Sequence, residues 1–109
     1  MKVAFATTDC TVVDDQFRRA SRLAVYEITP TGHCLDRICA FPPDQPGGSE
    51  DRIRAIEDVS IVYVTAIGPS AAARLRVRGI GAATAPSGTS IATILASLHK
   101  PRKDTACPP

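Results

Sequence analysis

The sequence predicts an α/β domain built on a mixed sheet, and three observations carry that prediction. Three β-type apolar stretches precede any helical periodicity. The run "VSIVYVTAI", residues 59 to 67, is continuous, β-branched and apolar, as in a strand buried on both faces. The two strand-like segments of the second half are each followed by helix signals, the pattern of parallel strands joined by right-handed crossovers.

Lys2 to Thr7 is almost wholly apolar and reads as a central first strand. Arg22 to Thr29, with Leu23, Val25, Tyr26 and Ile28, reads as the second. Pro30-Thr31-Gly32 marks a turn, and His33 to Phe41 returns antiparallel as the third. "PPDQPGGS", residues 42 to 49, is irregular. Ser49 suits a helix N-cap, with Glu50 and Asp51 in the first turn of a helix reaching about Glu57 and Ile53 and Ile56 facing inward. The fourth strand follows, and Gly68-Pro69-Ser70 opens a helix to Arg78, with Gly79 as its stop. Ile80 to Ala85 is a short fifth strand. Pro86-Ser87-Gly88-Thr89 leads into a last helix, where Ile91, Ile94, Leu95 and Leu98 form one stripe. The order β-β-β-α-β-α-β-α is that of a ribonuclease-H-like α/β sandwich, a mixed five-stranded sheet flanked by helices. Residues 1–100 form one domain, and "PRKDTACPP", residues 101–109, is a flexible tail.

Composition narrows the function. A net charge of +2 is too small to argue for nucleic acid or a charged membrane surface, and three Phe, two Tyr and no Trp offer no base-stacking platform. No apolar run approaches membrane-spanning length, and the N-terminus is too soon interrupted by Thr7-Thr8-Asp9 to be a signal peptide. The expected compartment is the cytoplasm, where the four cysteines stay reduced. They contain no C-x-x-C pair, so neither a zinc ribbon nor a thioredoxin-type motif is present. The dinucleotide fingerprint, the phosphate loop and the nucleophile elbow are missing too.

Ligands of open α/β sheets bind outside the carboxyl ends of parallel strands. If the first, fourth and fifth strands are parallel neighbours, that edge carries Thr7 to Phe17, Ile67 to Ser70, and Pro86 to Thr89. Helix N-termini at Pro69-Ser70 and Gly88-Thr89 would aim N–H groups into one crevice, and Arg18, Arg19 and Arg22 border it. The expected ligand is an anion.

"KVAFATTDC", "VVDDQF", "SRLAVYEI" and, above all, "AIGPSAAARLRVRGI" at residues 66 to 80 resemble the nitrogenase-cofactor carrier family, the NifX/NafY-like domain, over residues 2 to 98. The resemblance implies a ribonuclease-H-like fold and a non-enzymatic carrier. Its cargo would be an iron–sulfur cluster, the iron–molybdenum cofactor or a precursor of it, passed between cofactor assembly proteins and apo-nitrogenase. Many members have a histidine followed by Phe-Gly, the candidate cofactor ligand, where this chain reads Gln16-Phe17-Arg18. An amide is a poor iron ligand beside imidazole or thiolate.

Cys10 is the obvious substitute metal ligand, six residues before Gln16. It is that, or a small half-buried thiol without a role. Arg18, Arg19 and Arg22 would balance charge, while Gly68, Ser70, Gly88 and Thr89 would offer backbone or hydroxyl contacts. Cys34 and Cys39 should face opposite sides of a strand unless a bulge intervenes. His33, His99 and Cys107 carry no ligand pattern. Arg74, Arg76 and Arg78 are most simply a solvated face. Asp9, Asp14 and Asp15 invite a two-metal nuclease, but the first strand has no aspartate within it and no coherent ligand set emerges. Asp9 more simply ties down its own loop. The second function class is a protein-interaction or regulatory module that has lost the cluster.

Overall fold

A computed structural model describes residues 1–41 and 48–98. In chain order the elements are β1 (Lys2–Thr7), β2 (Val12–Val13), a single 3-10 turn (Phe17–Arg19), β3 (Arg22–Thr29) and β4 (Gly32–Ala40). Then come α1 (Gly48–Ala55), β5 (Ile61–Val64), α2 (Pro69–Val77), β6 (Gly81–Thr84), β7 (Thr89–Ser90) and α3 (Ile91–Leu98). The main sheet has five strands in the order β4-β3-β1-β5-β6. β3 runs antiparallel to β1 and β4, while β5 is parallel to β1 and β6 to β5. The expected mixed sheet is the one found, with β1 at its centre.

Alternation along β1 divides the core. Ala4 and Ala6 face α1 and α2 with Leu23, Val25, Ile53, Ile56, Val62 and Leu75. Val3 and Phe5 face α3 with Val13, Ile28, Ile91 and Leu95. Phe5 is fully buried, stacks on Tyr63 at 5.2 Å and meets Tyr26 edge-on at 5.8 Å. Burying each such side chain stabilises the fold by about 1.5–3 kcal/mol. The small alanines of β1 leave room for the helices on the opposite face.

Two expectations change. The opening segment is more than a loop: Val12–Val13 pairs antiparallel with Thr89–Ser90 in a small second sheet. Because Thr89 and Ser90 are used there, the last helix starts at Ile91 rather than at Gly88-Thr89. The Ser90 hydroxyl accepts from the Thr93 N–H at 3.3 Å, which makes Ser90 the capping residue.

A bulge also intervenes. Val25 stands opposite Arg37 and Tyr26 opposite Leu35, so Asp36 is an extra residue in β4. Cys39 and Cys34 stand opposite Leu23 and Glu27, and therefore on the same face, contrary to the alternation of a regular strand. They remain four residues apart along β3, too far to share an ion. Residues 42–47, which hold most of the irregular "PPDQPGGS" stretch, lie outside the described residues, as do His99 and the expected tail with Cys107. Among the described residues no helix is long and apolar enough to cross a membrane.

Candidate functional site

The strand directions decide which loops meet. β1, β5 and β6 share one carboxyl edge, and β4, reversed twice from β1, ends there as well. The helix following β4 therefore begins on that edge. A cleft of about 610 Å³ opens there, on the α1/α2 side of the sheet. Its lining includes Gln16 before the 3-10 turn and Arg18 within it, Ser49 and Glu50 from α1, Gly68 before α2, and Ser70 and Arg74 within that helix.

The chain is held in this shape by backbone bonds. Phe17 donates to the Ala66 carbonyl at 3.0 Å, and Thr65 donates to that of Asp15 at 2.9 Å. Phe17 is fully buried, so the turn is anchored in the core while Gln16 and Arg18 stay in solvent. Gly68 is extended at φ −75° and ψ 158°, and Pro69, without an N–H, starts α2 where none is needed. The first intrahelical bond runs from Ala72 to Gly68, which leaves the N–H groups of Ser70 and Ala71, two residues of the cleft lining, without an intrahelical acceptor.

Charge at the cleft is mixed. The Glu50 carboxylate lies 3.5 Å from Arg74, 3.5 Å from Arg54 and 3.6 Å from Arg78. Arg74 thus belongs to the site rather than to a merely solvated face. Arg18 adds a second exposed cation.

Of the residues singled out in the sequence, Gln16, Arg18, Gly68 and Ser70 come together here. The others do not line the cleft. Arg22 donates to the Thr8 carbonyl, and Arg19 is exposed on the 3-10 turn. Gly88 donates to the Val13 carbonyl at 2.9 Å, and the Thr89 hydroxyl to that of Pro86 at 2.5 Å. The second converging helix N-terminus is that of α1, not of α3.

Cys10 sits in the turn between β1 and β2 with φ +67°, and its N–H donates to the buried Thr7 hydroxyl at 2.9 Å. Its thiol is half-buried. The aspartates tie the same segment. Asp9 accepts from the Thr11 N–H at 3.0 Å, which holds its carboxyl below the usual range, and Asp14 accepts from the N–H and hydroxyl of Thr8. Asp15 accepts from Ser21. Three carboxylates committed to backbone donors do not form a two-metal site. Among the described residues no group of three His, Cys, Asp or Glu side chains could hold a metal ion. His33 meets Tyr26 edge-on at 5.9 Å.

The chain is 37% identical to the NifX protein of Herbaspirillum seropedicae, over 99% of this chain and 77% of that protein. It is 33% identical to the NifX protein of Klebsiella pneumoniae, over 91% of this chain and 65% of that one. The chain thus spans somewhat less than two thirds of the latter's length. The fold is that of a Thermotoga protein assigned to the DUF35 family, with TM-score 0.65, 19% identity, and coverage of 91% and 88% of the two chains. A Methanocaldococcus jannaschii protein is similar at TM-score 0.56 and 16% identity, over 90% and 86% of the chains. The family model described as "dinitrogenase iron-molybdenum cofactor" matches residues 1–100, and the chain belongs to that family.

Proposed function

We propose that this protein serves nitrogenase cofactor biosynthesis as a non-enzymatic carrier of an anionic iron–sulfur cofactor or precursor, such as one of the iron–molybdenum cofactor. The observation that carries the reading is one cleft with Arg18, Arg74, the hydroxyls of Ser49 and Ser70, and the first turns of α1 and α2. These groups suit a cluster whose net charge is negative. A carrier needs few protein ligands, because a cluster clamped by four cysteines is not readily handed on. The cargo comes from, and passes to, cofactor assembly proteins or apo-nitrogenase, and the compartment of that exchange is the cytoplasm. The strand order supports a ribonuclease-H-like scaffold: counting main-sheet strands alone, it is 3-2-1-4-5 with only the second reversed. Residues 1–100 act as one unit in this reading.

Cys10 is proposed as the iron ligand, although it lies outside the cleft lining, because it is the one thiol of the opening segment. Arg19, Arg22, Gly88 and Thr89 would support that segment rather than touch the cargo.

Gln16, at the cleft where the family resemblance places a histidine, favours a second reading: an interaction or regulatory module that no longer takes up a cluster. An anaerobic titration with isolated iron–molybdenum cofactor or precursor decides, read by absorbance and gel filtration. Stoichiometric co-elution that is lost in Arg18→Ala/Arg74→Ala supports the cleft. Loss in Cys10→Ala as well supports the thiolate. No co-elution with the unsubstituted protein overturns the carrier reading and leaves the interaction module.

A further inference from the structure

β4 is an end strand of the main sheet, nine residues long, so among the described residues its outer row of N–H and C=O groups faces no neighbour within that sheet. Among the described residues four large hydrophobic side chains are exposed, and two of them share this strand: Leu35 at 50% and Ile38 at 45%. The bulge places them on one face. Leu35 stands opposite Tyr26 and Ile38 opposite Ala24, whereas Cys34, Arg37 and Cys39 stand opposite Glu27, Val25 and Leu23 on the other face. Asp36 shares the side of Arg37, since their side chains bond at 2.5 Å.

We propose that the chain forms a two-fold symmetric dimer with a second copy of itself through β4, paired antiparallel about a point between Asp36 and Arg37. In that register Asp36 meets Arg37 of the second copy, Leu35 meets Ile38, Cys34 meets Cys39 and His33 meets Ala40. Directly opposed residues of an antiparallel pair must lie on one face. Every one of these pairs satisfies that condition, and does so because of the extra residue. Without Asp36 as a bulge, residues three or five apart would face opposite sides, and the strand could not match itself in this register. Apolar side chains meet apolar ones, and opposite charges meet. Lys2, Asp36, Arg37 and Asp58 form a balanced ionic cluster within each copy, so no like-charge clash opposes the approach. Bulges and charges ordinarily blunt a sheet edge, but here both are self-complementary. Two-fold pairing of edge strands is isologous and closes at two copies. It reverses the strand direction between copies, so the two clefts open on opposite edges of a ten-stranded sheet and remain accessible.

The test uses the full chain with Cys10→Ser and Cys107→Ser. Sedimentation velocity is measured from low to high micromolar protein, and the same samples are oxidised with diamide and mapped by peptide mass spectrometry. Within one chain Cys34 and Cys39 lie about 13 Å apart along the strand direction, beyond the roughly 7 Å reach of a disulfide. A Cys34–Cys39 disulfide therefore forms only between copies. The expected result is a concentration-dependent dimer carrying that link, with both lost in Ile38→Asp. Ile38 is substantially exposed, and an unchanged melting curve verifies that the variant folds. A monomer at every concentration, a different disulfide, or an Ile38→Asp variant that still dimerises overturns the proposal. None of these outcomes depends on whether the cleft carries a cluster.

Discussion

The guanidinium of Arg52 donates twice to the carbonyl of Ala20, from Nε at 3.1 Å and Nη2 at 2.6 Å, and lies 4.5 Å over the Phe41 ring. Arg52 is only 7% exposed. One α1 side chain thereby ties the residue that ends the 3-10 turn to the helix whose first turn forms the opposite wall of the cleft. Arg52→Ala is expected to lower unfolding free energy by about 2–4 kcal/mol, through a carbonyl left without its donors and a lost apolar stem. Arg52→Lys, which cannot donate in a fork, recovers part of this. Urea melts of both variants measure the difference.

A second ionic group lies at the opposite end of β1. The Arg37 side chain bonds the Asp58 carboxylate at 2.6 Å, and Lys2 adds a contact at 3.2 Å. Hydrogen bonding from Arg37 holds the Asp58 carboxyl at about 2, below its ordinary 3.8. A depressed folded value means that the stabilisation is fully present above pH 3.8 and fades as pH falls through about 2. The Asp58 side chain is 49% exposed, so solvent screening keeps the effect below about 1 kcal/mol. Asp58→Asn should flatten the acid limb of a stability–pH profile between those values and change little else; an unchanged limb counts against the pair.

Glu50 should act as an internal competitor for anions. Its carboxylate occupies Arg74, a cleft cation, and is shared with Arg54 and Arg78. Glu50→Gln releases Arg74 and removes a negative charge beside any incoming anion. Calorimetric titration with inorganic pyrophosphate should give binding about three- to tenfold tighter than the unsubstituted chain, and the gain should shrink as salt rises. Equal affinity would mean that Arg74 makes no contact with the bound anion.

Cys10 occupies a backbone conformation that L-residues avoid, at φ +67°. Glycine adopts it without the Cβ penalty, so Cys10→Gly should leave the protein as stable or stabilise it by up to about 1 kcal/mol, despite the lost side chain. Cys10→Ala keeps the strain and removes the thiol. If the thiolate ligates iron, both variants lose the cargo while their melting temperatures move apart. The pair thus separates ligation from folding.

The sheet was legible because its signals are local. Lys2–Thr7 and Arg22–Thr29 have the bounds that their apolar runs suggest, and Gly79 with φ +78° ends α2 where its lack of a Cβ allows. The stripe of Ile91, Ile94, Leu95 and Leu98 packs against the β1 face as its spacing implies. Five of the nine expected site residues, Cys10, Arg19, Arg22, Gly88 and Thr89, do not line the cleft, and for the last two the reason is non-local. Gly88 and Thr89 have the composition of a helix start, but Val12 and Val13, far away in sequence, claim that segment as a strand partner. Within their own helices Ser49, Glu50 and Arg74 carry only the signals of a cap, a first turn and a solvated face. Two reversals of direction, from β1 to β3 and from β3 to β4, bring α1 to the cleft. No single window of residues contains that information, although the strand count does.

The backbone bonds of the opening segment also set an order of assembly. Asp15 and Phe17 are synthesised well before their partners Thr65 and Ala66, about fifty residues further along, and Thr11 waits for Ile91. A chain emerging from the ribosome therefore lacks the α2 wall of the cleft, and the bonds that seat the 3-10 turn, until β5 and α2 have been synthesised, and the turn after β1 is not locked until α3 arrives. Loop closure over such separations is slow relative to helix formation, and interrupted chains cannot complete it. Chains interrupted before α2 are thereby unable to display the cleft, and competence to bind follows completion of β5, α2 and α3.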